Sequence, residues 1–79
     1  MFPGSSKDLV TYVQENFPDV TIKGTKVLSK KGKIFYFLRG KGKGGKTLRF
    51  VYGDEHPIPR AVTTSERKRI GKGRSLKKP

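Results

Sequence analysis

Seventy-nine residues with 19 Lys plus Arg against 6 Asp plus Glu give a formal charge of +13, and only 32% of the chain is hydrophobic. That describes one small domain at most, with a thin core, and excludes a doubly wound sheet, a barrel enzyme or any fold built around a large buried cleft. The absence of cysteine removes disulfide staples, zinc ribbons and thiol chemistry and leaves the redox compartment open, and no stretch approaches the roughly 18 apolar residues of a membrane span.

The first element is a helix over residues 6–16. Ser5 or Ser6 serves as the N-cap, and Asp8 places a carboxylate in the first turn. Leu9, Val10, Val13 and Phe17 make one apolar stripe, and Asn16 with Pro18 ends it. Met1–Ser6 carries neither the basic n-region nor the apolar h-region of a signal peptide, which points to an intracellular setting, cytoplasm or nucleoid.

After Pro18 the period changes to two. Val20 and Ile22 open a first strand that Gly24 interrupts or bulges, and Val27 and Leu28 continue it to a turn at Ser29–Gly32. Residues 33–39 (KIFYFLR) and 47–52 (TLRFVY) read as two strong strands of one hairpin. Between them, residues 40–46 are only Gly and Lys, a flexible loop with nothing to pack. Sorting by parity puts Ile34, Tyr36, Leu38, Leu48, Phe50 and Tyr52 on the core side against Leu9, Val13 and Phe17. The other side carries Lys33, Phe35, Phe37, Arg39, Thr47, Arg49 and Val51.

From Pro57 the pattern weakens. Pro57 and Pro59 force an extended stretch, and Thr63–Glu66 can cap a short turn of helix through Ile70 before Gly71 and Gly73. Too few apolar residues follow to dock it. The fold expected is α+β: an N-terminal helix on a small three-stranded antiparallel sheet, residues 5–62, with a basic, largely disordered C-terminal arm over 63–79.

Charge is partitioned unevenly. Residues 20–53 hold ten bases and no acid, and residues 60–79 hold eight bases with Glu66 alone against them; the acidic Asp54 and Glu55 lie between the two blocks. Such blocks repel themselves unless an anion lies on them. Solubility needs a net charge of only about 2–8 on a small domain, so the surplus describes a partner. That partner is expected to be nucleic acid, duplex DNA or structured RNA, gripped at its phosphates by Lys33, Arg39, Lys41, Lys43, Lys46 and Arg49 and by Arg67, Lys68, Arg69 and Arg74 of the arm. Phe35 and Phe37 either stack on bases from an open face or are covered by Ile58, Ala61 and Val62; a core this small favours cover. Docking on an acidic protein surface, or inside a ribosome or polymerase assembly, is the alternative, and neither basic block has the apolar face of a membrane-surface helix. Oligomeric state is left open.

Catalytic readings fail on the residues. Gly40–Thr47 matches the phosphate-loop pattern GxxxxGK[ST], followed by the apolar run 50–53 and Asp54. A phosphate loop must open a helix, however, and Thr47–Tyr52 alternates as a strand. His56 stands beside Asp54 and Glu55 with no further ligand near enough in sequence to complete a metal site. Neither an enzyme nor a cofactor or metal is expected. In length and element order the chain resembles HicA-type toxins, messenger-RNA nucleases with a fold like that of double-stranded-RNA-binding domains. Their catalytic His lies in a Gly-Ser-His segment, and the comparable stretch here is Gly24-Thr25-Lys26, which carries no His. The Arg-Gly-Lys-Gly-Lys hairpin is similar in composition to the arm-binding domains of phage integrases, which set a three-stranded sheet in the major groove.

Overall fold

Ser5 and Asp8 start the first helix, α1 (Ser6–Asn16). The Ser5 backbone N–H donates to Asp8 Oδ2 at 2.9 Å, holding that carboxylate near the positive end of the helix. At the other end Phe17 N–H donates to the Val13 carbonyl at 2.7 Å, and Pro18 prevents another turn. The structure, a computed structural model, describes residues 4–71 together with the backbone of residues 74 and 75.

Four strands follow: β1 (Thr21–Lys30), β2 (Lys33–Lys41), β3 (Thr47–Gly53) and β4 (His56–Val62). They form an antiparallel meander in the order β4-β3-β2-β1, and a two-residue β5 (Arg74–Ser75) pairs with Leu28 and Ser29 at the β1 edge. The β1–β2 register shifts between Ile22 and Gly24, the expected bulge. Local chemistry sets each turn. Lys31 (φ 52°) and Gly32 (φ 76°) are both left-handed, as a tight hairpin matched to strand twist requires. Gly53 (φ 152°) leaves room where a Cβ would collide with the Ile34 carbonyl oxygen. Asp54 then locks the β3–β4 turn to β2: its Oδ2 accepts from Ile34 N–H at 2.7 Å, and its own N–H donates to Ile34 O at 3.1 Å.

The expected three-stranded sheet is corrected to four. Pro57 and Pro59 sit within β4, paired to β3 through Val51–Arg60, Phe50–Ala61 and Arg49–Val62. An edge strand tolerates proline because its outward N–H groups have no ladder to join. The expected arm is corrected as well. Residues Thr64–Ile70 form a second helix, α2, held at its start by a reciprocal cap: Glu66 N–H donates to Thr63 Oγ1 at 3.1 Å and Thr63 N–H to Glu66 Oε1 at 3.2 Å. The remainder of the arm, apart from β5, lies outside the described residues.

The two helices cover opposite faces of the sheet. On one, Leu9 and Val13 of α1 pack with Leu38 and Phe50, flanked by Tyr36, Leu48 and Tyr52. That is the face set by strand parity, except that Ile34 is not packed on this cluster and Phe17 stays 38% exposed with its ring 5.2 Å from that of Phe50. On the other, Leu28, Phe35, Phe37 and Val51 form a second buried cluster, closed by Val62 and by Ile70 of α2. Ile58, expected to help with that cover, is 74% exposed. Neither face is open.

Candidate functional site

The basic residues expected to act together are sorted by the fold into three places. At one end of the sheet lies the β2–β3 loop. Gly42 N–H donates to Lys46 O at 2.7 Å across a single 3-10 turn (Lys43–Gly45), and Gly44 (φ 77°) and Gly45 (φ 78°) take left-handed conformations. The loop is thus a hydrogen-bonded turn that presents Lys41, Lys43 and Lys46 as exposed side chains. Thr47 begins a strand, so the phosphate-loop pattern opens no helix here.

At the opposite end of β2, roughly 27 Å away at ~3.4 Å per residue, Lys33 is committed elsewhere. Its Nζ lies 2.7 Å from Glu55 Oε2, and this hydrogen bond raises the Lys33 pKa and lowers that of Glu55. Lys33 joins Lys30, Lys31 and Arg69 around a concavity of about 280 Å³ that also contains Glu55 and His56. His56 is half-buried, its ring 6.2 Å from that of Phe35, and burial followed by the nearby Arg60 pushes its imidazole below its ordinary 6.5. A depressed His contributes stability that is present above 6.5 and lost as pH falls through the folded value. Glu66, lowered chiefly by the Thr63 backbone N–H, and Glu55 act in a separate window below 4.5. The melting temperature should therefore decline between pH 7 and 5, and His56→Gln should flatten that decline. A wild-type melt that is level over this range would contradict the assignment.

The third place is the face under α2. Arg39 and Arg49 are direct cross-strand partners, an arrangement that like charges disfavour. Lys26 stands opposite Phe37 on β1. From α2, Arg67 lays its guanidinium 3.8 Å above the centre of the Phe37 ring. With Lys68, these five cations line a cavity of about 450 Å³ whose lining includes Phe37 and no acidic residue. Burial, and then the charge of Arg49, push the Arg67 pKa below its ordinary value, although a guanidinium remains charged at neutral pH. Arg49 Nε is buried and makes no hydrogen bond among the described residues. Among the described residues, none of these five cations is held in an ion pair.

The structure thus brings together Arg39, Arg49, Arg67 and Lys68 and separates Lys33 and Arg69 from them. Arg74 lies on β5, at the β1 edge. Phe35 and Phe37 are 4% and 3% exposed, stacked on one another at 6.3 Å, so in this conformation no base can reach their faces. Lys26 was missed by sequence reasoning. Counting β1 residues from the bulge at Gly24 would have placed it on the Phe37 side. Arg60, by contrast, is neutralised by Glu66 at 3.3 Å.

No family model, curated protein or solved structure matches this chain. Among the described residues, no cluster of three or more His, Asp or Glu side chains could hold a metal ion, and no helix is long and apolar enough to cross a membrane.

Proposed function

We propose that the protein binds nucleic acid, duplex DNA or structured RNA, by its phosphate backbone and without chemistry on it. The observation that carries this reading is the acid-free lining of the cavity under α2, together with Arg39 and Lys41 at the same parity on β2 and the exposed Lys43 and Lys46 of the loop that follows. The two parts have different physical characters. Lysines on a glycine-rich loop supply charge that adapts to any backbone path, whereas Arg39 and Arg49, held on paired strands, offer fixed forks suited to bidentate phosphate contact. Buried aromatics remove base stacking from the proposal, so recognition falls to charge and shape.

The test is the salt dependence of duplex binding, read by fluorescence anisotropy. Neutralising five or six phosphates predicts a slope of log affinity against log salt of about −5. Replacing Lys41, Lys43 and Lys46 together by Ala should flatten it by about two to three units. All three side chains are exposed, so stability should change by no more than about 0.5 kcal/mol. An unaltered slope moves the contacts away from the loop. A slope near zero in the wild type, or equal binding to polyglutamate, rejects the nucleic-acid reading.

A further inference from the structure

The cavity under α2 has properties that a surface contact with a through-going phosphate backbone does not require. Five cations face it, yet an internal phosphodiester brings a single negative charge. A phosphate monoester carries about −1.5 to −2 at pH 7, with three strong acceptor oxygens. Arg49 Nε is buried in the wall and makes no hydrogen bond among the described residues, so this arginine meets an entering group only through its other guanidinium atoms. The volume of about 450 Å³ lies within the range of roughly 300–1,000 Å³ typical of small-molecule sites. That is room for a sugar as well as a phosphate. The Phe37 face is already occupied by Arg67, which leaves no platform for reading the base.

We infer that this cavity is a receptor for the terminal phosphate monoester of a nucleic-acid strand, with Arg39, Arg49 and Arg67 on its oxygens and Lys26 and Lys68 closing the charge around it. The inference rests on the proposed backbone binding and adds an end preference to it. The Lys41–Lys46 loop holds the duplex flank while the cavity takes the end, independent of sequence.

Three internally labelled duplexes of one sequence, bearing a 5′-phosphate, a 3′-phosphate or no terminal phosphate, are titrated at 150 mM KCl. One phosphorylated end should bind at least tenfold tighter than the unphosphorylated duplex. Arg49→Gln should bring that ratio to about one. Because Arg49 is half-buried, the exposed pair Lys26→Gln with Lys68→Gln supplies a second variant, expected to cut the ratio at least threefold with an unchanged melt. The Lys41, Lys43 and Lys46 triple variant should weaken all three duplexes together and preserve the ratio. Equal affinity for the three ends, with a steep salt slope, overturns the cavity assignment and leaves backbone binding standing. Failure to bind any duplex rejects both. Adenosine monophosphate binding as tightly as the phosphorylated duplex would give the cavity to a free nucleotide and overturn the strand-end assignment.

Discussion

Phe37→Ala is expected to lower stability by about 3–5 kcal/mol, as deletion of a buried ring does. The ring is 3% exposed, packed among Leu28, Phe35 and Val51, and covered by the Arg67 guanidinium. A 79-residue domain at roughly 0.05–0.15 kcal/mol per residue has on the order of 4–12 kcal/mol in total, so this one change removes at least about a quarter of it. Denaturant titration followed by circular dichroism measures the loss. Binding should weaken only in proportion to the folded fraction. Phe37→Leu sharpens the distinction, since it keeps an apolar side chain in the site and most of the fold. Were the ring a stacking platform, the Leu variant would melt normally yet lose about 1–3 kcal/mol of single-strand affinity. Normal melting with that loss would sink the assignment of Phe37 to the core.

The elements that could be read from sequence are those whose signal is local. Ser5, Asp8 and Pro18 mark both ends of α1, and the tight β1–β2 turn, with Lys31 and Gly32 left-handed, needs no distant partner. Alternation in 33–39 and 47–52 placed Leu38 and Phe50 correctly under α1. β4 was lost because two prolines in seven residues outweigh any strand propensity, and only the neighbouring β3 ladder makes residues 56–62 a strand. Helix α2 was visible as a capping box, but its docking was not. Its apolar contribution is a single residue, Ile70, whose worth depends on a cluster assembled from three strands.

The candidate site divides along the same line. That Arg39 and Arg49 are fixed on strands follows from their parity, and the loop lysines follow from composition. Their relation to Arg67 and Lys68 does not, because it needs α2 folded back across the sheet. Lys33 entered the set because it shares the outer parity of β2 with Arg39, and Arg69 by charge alone. The Asp54-Glu55 turn, which brings Glu55 to Lys33 from 22 residues away, removes Lys33 from it.

Truncation after Thr63 tests that folded-back helix directly. Two effects oppose one another. Removing α2 relieves the repulsion between Arg67 and Arg49, worth about 0.2–1 kcal/mol for partly exposed charges. It also strips Ile70 from the second cluster, Arg67 from the Phe37 ring and the two-residue β5 from the β1 edge. Full burial of one such apolar side chain is worth about 1.5–3 kcal/mol, and a cation over an aromatic face about 0.5–2 kcal/mol more. The loss exceeds the relief. With Ile70 only partly buried, the truncated chain should be less stable by about 1–5 kcal/mol, and its melting temperature should fall by at least roughly 4 °C at 4–8 °C per kcal/mol for a domain of this size. Ile70→Ser in the full-length chain separates cover from charge: it keeps every cation and should reproduce much of the fall. If the truncated protein melts with the full-length one, α2 contributes nothing to the sheet, and Phe35 and Phe37 are protected by the strands alone.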